Sequence, residues 1–445
     1  MKKITYPSIF LALALVAGAC GDTEVSVAPT TTAAPATTTV AAPTTTTVAP
    51  TTTTAPTTTT VAPTTTAAPT TTTVAPTTTA ATRSVQIQAS DDEAVLGAIL
   101  ASEEINFGSD DTLAWNITYR SQSVTGEPIE VTGTILASAE TADGPRPVLS
   151  IAHGTTGMAD QCAPSLSFDN PDPDWSYFER LNPLLAKGWI LVATDYEGMG
   201  GPGLHPYIVG ESEARGVFDI VRAAQTIPEL NATGPLVVWG HSQGGHAAMH
   251  VAERWQEIAP ELDLVGVAAG APPSQMPLLS DFLIGSDFQG YLVMVAAAFG
   301  AAYAELDLSE VISPDYFGLL EELELGCTGH IFETFNSIAY EDLVSVDDIF
   351  AIPEWNARLT ENDTNQLPNQ TPVLILHGDA DEQIPVISSE WLLDQLCALD
   401  GHQALERRVY PGFGHSAAVG AYWSELIEWL DQRIAGQPAT DQCPA

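Results

Sequence analysis

Gly240, His241, Ser242, Gln243 and Gly244 stand between the apolar run at 236–239 and a helical pattern that opens at Gly245. A serine held between two glycines where a strand turns into a helix is the form of a nucleophile elbow. The sharp turn lifts the hydroxyl above the sheet edge, and the glycines let neighbouring backbone pass without a β-carbon in the way. A serine hydroxyl is a weak nucleophile at neutral pH. It needs a histidine to take its proton and an acid to hold that histidine in the right tautomer. Two later loops carry those residue types, "LILHGDADEQIP" at 374–385 with Asp379 and Asp381, and "YPGFGHSAA" at 410–418 with His415. Attack on a carbonyl also needs donors for the oxyanion. The amide of Gln243 supplies one, and the loop "AHGTTGMADQCAPS" at 152–165 is placed to supply another. Such acyl transfer calls for neither metal nor cofactor.

Positioning these side chains requires a sheet. Short apolar or alternating runs of strand type lie at 131–136, 147–153, 189–196, 235–241, 264–271, 372–378 and 404–411. Between most of them fall helical patterns at 211–225, 245–258, 386–399 and 415–434. The alternation predicts an α/β fold, and the four runs that are apolar along nearly their whole length predict a mostly parallel central sheet covered on both faces. The interval 272–370 shows no run of sheet type and instead carries "YLVMVAAAFGAAYAEL" at 291–306. It reads as an inserted helical cap or lid, splitting the core into 85–271 and 371–445. The apolar patch is shorter than the roughly 20 residues a bilayer demands. A helix buried in the cap, lining an acyl pocket, fits it better.

The first 84 residues are a different kind of chain. Lys2 and Lys3 precede an apolar stretch that ends in small residues before Cys20, an export signal over 1–19. "LVAGAC" resembles a bacterial lipobox, which implies lipid on Cys20, a membrane anchor there and a catalytic domain held outside the cell. Residues 20–84 are nearly all Thr, Ala, Pro and Val, with "TTTTVAP" recurring at 44, 57 and 70. That composition offers too little large apolar surface for a core and predicts a disordered stalk. The 56 acidic against 14 basic residues give a formal charge of −42, which disfavours nucleic acid as a partner. A monomer is expected. Of the five cysteines, four remain if Cys20 is lipidated, and two disulfides among Cys162, Cys327, Cys397 and Cys443 have three possible pairings.

Six segments together carry a resemblance: "GEPIEVTGTIL", "DQCAPS", "ATDYEGMG", "GHSQGGHAA", "HGDADEQIP" and "GFGHS". Over about residues 92–443 the chain resembles the secretory lipase family, the group typified by yeast lipase A, within the α/β hydrolases. Chain order Ser, Asp, His is that of the superfamily, and its HGxxD pattern followed by proline falls on His377, Gly378, Asp381 and Pro385, leaving Asp379 as a turn residue. The resemblance implies an α/β-hydrolase core with an inserted helical lid and action on acylglycerols or other carboxylic esters. It implies Ser242 as nucleophile, His415 as base, Asp381 as orienting acid, and oxyanion donors at Asp160 and Gln243. It also implies the pairs Cys162–Cys327 and Cys397–Cys443. Gln161, between Asp160 and Cys162, has no counterpart in the yeast pattern, and the amide of Thr155 is the other candidate donor.

Other residues have competing readings. Asp195 and Glu197 in "TDYEGMGG" would suggest a glycosidase pair, but two carboxyl groups so close in one turn read better as structural acceptors. His153 and His205 are placed to line a pocket, while His241 and His246, beside the nucleophile, are expected to take no catalytic part. A peptidase or acyltransferase on the same core, or a surface-binding protein with an idle triad, are the rival functions.

Overall fold

Apolar segments without a polar face pair into the centre of one sheet. In a computed structural model, which describes residues 85–444 apart from 91, 108–110, 141–142 and 167–176, nine strands follow one another along the chain. They are β1 (Ile99–Glu104), β2 (Thr112–Gln122), β3 (Pro128–Ser138), β4 (Val148–Ala152), β5 (Ile190–Thr194), β6 (Leu236–His241), β7 (Leu264–Gly270), β8 (Val373–Gly378) and β9 (Leu405–Tyr410). Their order in the sheet is β1-β2-β3-β5-β4-β6-β7-β8-β9. From β5 to β9 the neighbours are parallel, and β1, β2 and β3 add an antiparallel edge. The expected signal segment 1–19, the lipidation site Cys20 and the stalk 20–84 lie outside the described residues.

Ten α-helices are described: α1 (Tyr177–Ala186), α2 (Gly210–Gln225), α3 (Gln243–Ile258), α4 (Met276–Leu283), α5 (Gly290–Ala302), α6 (Thr328–Phe335), α7 (Tyr340–Leu343), α8 (Pro353–Glu361), α9 (Val386–Cys397) and α10 (His415–Ile434). Period two along the strands sorts the core into layers. Val238 and Ile375 face a cluster with Phe218 of α2, Met249 of α3 and Leu392 of α9. Trp239 and Leu376 face the opposite cluster, with Leu184 of α1 and Tyr422 and Trp429 of α10. β4, β5 and β8 are buried from end to end, as strands covered on both faces must be.

The α/β fold expected from the sequence is the one observed, with two strands more than the periodicity read. β2 alternates fully buried with half-exposed positions, its outer face carrying Asn116, Thr118 and Arg120, and β1 is exposed over most of its length. β1 is the edge strand and buries little, while β2, paired on both sides, buries chiefly its alternate positions. Between β7 and β8 the chain makes α4 to α8 and, besides isolated bridges joining Ile312 to Val344 and Cys327 to Gly157, no strand. These helices share a third cluster, with Met294, Phe299, Ile331, Phe335 and Trp355 at its centre. No helix among the described residues is long and apolar enough to cross a membrane.

Both disulfides form in the pairing the resemblance implied. Cys162–Cys327 joins the loop after β4 to the start of α6, and Cys397–Cys443 joins the end of α9 to the C-terminal segment beside β9. That segment also donates from the amide of Gln442 to the Leu405 carbonyl at 2.8 Å. The second bridge closes a loop between residues 46 apart, which constrains the unfolded chain by up to about 4 kcal/mol. Replacing both Cys397 and Cys443 by serine should therefore lower unfolding free energy by roughly 2–4 kcal/mol in urea titrations. An unchanged midpoint would show that hydrogen bonds alone hold the tail.

Candidate active site

The turn after β6 is set by steric necessity. Ser242 has φ 60° and ψ −123°, a conformation L-residues seldom adopt, and α3 begins at the next residue. A β-carbon on Gly244 would lie 1.9 Å from the Ala152 carbonyl oxygen, and one on Gly240 would lie 2.0 Å from that of Gly244. The strained serine is fixed by its amide donating to the Gly270 carbonyl at 2.8 Å and its own carbonyl accepting from the His246 amide at 3.0 Å. Strain of this kind costs about 1–3 kcal/mol and persists where the surroundings over-determine it.

The other two expected residues meet each other. Nδ1 of His415 donates to Oδ2 of Asp381 at 2.7 Å, across the gap between the ends of β8 and β9. Oδ1 of Asp381 accepts from the amides of Gln383 and Ile384 at 2.9 and 2.8 Å. His377 brings Nε2 to 3.3 Å of Oδ2 while donating to the Ile384 carbonyl at 3.0 Å. Burial alone would raise the Asp381 carboxyl, but hydrogen bonds from His377, His415 and the Ile384 amide outweigh it and hold the group far below the usual carboxylate range. Asp381 is thus an anion at any working pH, fit to keep the proton of His415 on Nδ1 and leave Nε2 free to accept. The amide of His415 donates to Glu382 at 3.0 Å, and its ring lies 4.6 Å, centre to centre, from that of His241, the residue before the serine. Ser242 and His415 make no hydrogen bond to each other; such contacts commonly tighten only when substrate arrives. Asp379 accepts from the Gly412 amide and serves the turn.

On the oxyanion side, Gln243 is fully buried, and its amide, the first of α3, donates to no backbone carbonyl among the described residues. The loop after β4 runs beside it, a β-carbon on Gly154 falling 3.2 Å from the His241 carbonyl and 3.7 Å from Cβ of Ser242. Thr155 follows in that loop and hydrogen-bonds the Tyr207 hydroxyl through Oγ1 at 2.8 Å. Asp160 is exposed and opens the short 3-10 turn Asp160–Cys162, with no hydrogen bond to Ser242 or Gln243.

An apolar cavity enclosing about 960 Å³ of empty space, part of it open to solvent, reaches Ser242. Its wall comes chiefly from α4, α5 and the segment around α7, with Met276, Leu283, Leu292, Ala296, Leu343 and Phe350 among the lining. His153 and His205 are not part of that lining, against the expectation that they would be. Each is buried elsewhere, His153 Nδ1 against the Gly154 carbonyl and His205 Nδ1 against that of Glu197. Asp195 accepts from Thr132 and Ser165, and Glu197 from Ser212, so both carboxyl groups are spent within the fold. The grouping of His402, Asp441 and Cys443, with ligand-like spacing, has its sulfur in a disulfide.

Sequence reading missed the acid that contacts Gln243. Glu213 of α2 is completely buried, accepts from Nε2 of Gln243 at 3.0 Å and faces Nδ1 of His246 at 2.6 Å. Nothing in "GESEARG" separates it from the neighbouring, more exposed Glu211. The helical period was its only signal, since Glu213 falls four residues before Val217 on the face that packs inward.

A family model described as secretory lipase matches residues 178–442. Among relatives, the chain is 27% identical over 365 residues to a "Probable inactive lipase" of Mycobacterium tuberculosis, covering 78% of this chain and 80% of that one. It is 25% identical over 366 residues to a secreted triacylglycerol lipase of Malassezia globosa, covering 78% and 79%. Among solved structures, Candida antarctica lipase A superposes with a TM-score of 0.68 at 19% identity, over 78% of this chain and 84% of that one.

The geometry makes Asp381 answerable for the tautomer of His415. Asp381→Asn should keep the fold yet slow labelling of Ser242 by a fluorophosphonate probe by about 10³–10⁴, measured as the second-order rate of inactivation. Labelling at the unmodified rate would remove Asp381 from the site.

Proposed function

Because the chain belongs to the secretory lipase family, we propose that it is an exported serine hydrolase that cleaves acylglycerols or other carboxylic esters. The hydrogen-bonded Asp381–His415 pair, set at the same sheet edge as the strained Ser242 and beside an apolar cavity, is the observation that carries the reading. Nε2 of His415 takes the hydroxyl proton as Oγ of Ser242 attacks the ester carbonyl carbon. The carbonyl π electrons move to oxygen, which the amide of Gln243 and a second donor in the loop after β4, at Asp160 or Thr155, stabilise. Collapse expels the alcohol, which leaves with the proton from His415, and an acyl-Ser242 remains. Water, deprotonated by the same imidazole, repeats the sequence and frees the acid.

The cavity supports an acyl rather than a peptide substrate. It offers methylene-compatible walls, and the hydroxyls of Tyr207 and Tyr291 are turned to Thr155 and Gln383. Residues 272–370 act here as a cap over the core, and α5 of that cap supplies one wall. Export accords with the secretory family and with a secreted relative. The lipobox-like "LVAGAC" and the threonine-rich segment behind it support display on a lipid-anchored stalk. The enzyme works as a monomer, with no nucleic-acid partner.

A second reading is a hydrolase core that binds without turnover, favoured by the word "inactive" in the name of one relative. Its discriminating residues are Ser242, Asp381 and His415, all present here.

A series of p-nitrophenyl esters separates these readings. Each methylene buried in the cavity contributes about 0.8 kcal/mol, so kcat/KM should climb roughly fourfold per carbon until the cavity is full. Ser242→Ala should abolish turnover with the melting temperature unchanged. Hydrolysis at the wild-type rate by that variant, or cleavage of peptide arylamides only, overturns the assignment.

A further inference from the structure

Glu213 and His246 lie outside the triad, yet both are fully buried beside the first turn of α3. Their protonation follows from partners. Nε2 of His246 faces the Asn362 carbonyl at 2.8 Å, which can only accept, so Nε2 carries a proton. Nδ1 faces Oε2 of Glu213 at 2.6 Å. The other oxygen of Glu213 already accepts from two N–H groups, Nε2 of Gln243 at 3.0 Å and the Ile208 amide at 3.2 Å. A carboxyl group surrounded by three donors is ionised, and the imidazole between two acceptors is an imidazolium. Burial alone would raise the carboxyl and lower the imidazole. The mutual charge and hydrogen bond outweigh it, holding Glu213 below and His246 above their ordinary ranges.

Such a pair is an expensive way to fill a core, where well-packed apolar residues of similar volume do as well or better for stability. Its other contacts indicate what it does. The amide nitrogen of Gln243 spends one hydrogen on Glu213 and the other on Nε2 of His205 at 2.7 Å, whose Nδ1 is bound to the Glu197 carbonyl at 2.8 Å. The side chain of Gln243 is therefore clamped in one orientation, and its backbone N–H belongs to the same residue. Ile208, which shares the cavity lining with Ser242, sits at φ 60°, a costly conformation for a β-branched residue, and Glu213 holds its amide. Asn362, beyond His246, accepts from the Gly210 amide at 2.8 Å and donates to the Tyr303 hydroxyl at 2.9 Å. One carboxylate thus joins the turn after the serine, a wall of the cavity and the end of the helical insertion.

We propose that Glu213 and His246 form a buried ion pair that positions the amide of Gln243 for the oxyanion and holds the cavity wall at Ile208. The inference rests on the reading of Ser242 as nucleophile and Gln243 as oxyanion donor. Glu213 and His246 are positioning residues, acting through Gln243 and never on substrate. The titratable groups that face His246 are Glu213 from α2, His250 and Glu253 from α3 itself, and Asp363 after α8. Among them only Glu213 makes a hydrogen bond to the ring.

Glu213→Gln is close to isosteric. Its oxygen still accepts from Gln243 and Ile208, while its amide faces Nδ1 and forces His246 to the neutral form. In the full-length chain, kcat on a p-nitrophenyl ester should fall on the order of 10- to 100-fold, the scale of a misplacement below 1 Å. KM should change less than about twofold, and fluorophosphonate labelling should slow in parallel, because that adduct also carries an oxyanion. Gln243→Met, which keeps the ion pair and removes only the clamp, should show the same split. ¹⁵N spectra of histidine-labelled wild type should show one buried imidazole protonated on both nitrogens at neutral pH and lost as such in Glu213→Gln. A folded Glu213→Gln enzyme with wild-type kcat and labelling overturns the inference, as does a loss confined to KM. If that variant fails to fold, wild-type kcat in Gln243→Met overturns it. Wild-type turnover by Ser242→Ala would overturn the reading of the site and this inference together, whereas an inert Ser242→Ala beside a fully active Glu213→Gln removes the inference alone.

Discussion

The carbonyl of Ala152 lies so near the backbone of Gly244 that no side chain fits between them. That contact lets α3 start flush with the sheet edge and forces Ser242 into its left-handed conformation. It exists because β4 and β6 are parallel neighbours in register, Ala152 opposite Gly240. The same register runs on through His241 opposite Gly270, Gly270 opposite Leu376 and Gly378 opposite Tyr410. Strands that end level deliver their following loops to one edge, so the serine turn, the Asp381 turn and the His415 turn converge although they are far apart in sequence. In a doubly covered parallel sheet that edge is where backbone N–H groups and side chains can meet a ligand without disturbing the core.

Around that edge the protein buries several carboxyl groups, and their surroundings divide them by charge state. Asp381 and Glu213 each face an imidazole nitrogen and two amide N–H groups, and both are held below their ordinary ranges. Asp195 has three donors, all neutral, from Ser165 and Thr132, and burial still pushes it up to about 6. Glu253, whose oxygens accept no hydrogen bond although Nδ1 of His250 stands 3.3 Å away, is raised by burial to about 8. The neutral donors of Asp195 offset burial only in part, whereas hydrogen bonds from imidazole nitrogens outweigh it at Asp381 and Glu213. The two groups held low are the ones that contact the residue after the serine and the histidine of the site.

What the sequence disclosed and what it hid follow the same physics. Gly240, Gly244 and the flanking apolar runs are legible because each is a local demand, a turn no other residue can make or a strand that must be dry on both faces. The Asp381 turn and His415 are legible because they too sit at strand ends. Glu213 is not, because its burial is decided by α3 lying against α2, a tertiary fact that leaves an acidic residue on a helix looking like a solvated one. His246 was set aside for the same reason, since a histidine in a helix gains its meaning from the carboxylate across the interface. His153 and His205, candidates for a pocket lining, are tied to backbone carbonyls instead. β1 is hard to read because an edge strand needs little apolar surface, and β2 because its buried positions alternate with polar ones. Counting cysteines left three pairings, and only family resemblance chose between them before the coordinates showed the same two bridges.

The cavity beside Ser242 imposes its own cost. α5 is apolar around its whole circumference, so it must be covered on every side. It packs against α4 and α6, yet Leu292, Val295 and Ala296 face empty space. What keeps the space open is the framework around it: the Cys162–Cys327 bridge with the Thr328 amide donating to the Thr156 carbonyl at 3.0 Å on one side, and Asn362 and Asp363 on the other. An aliphatic chain laid against those walls would remove apolar area from water, at about 25 cal/mol per Å², without displacing any hydrogen bond of the wall.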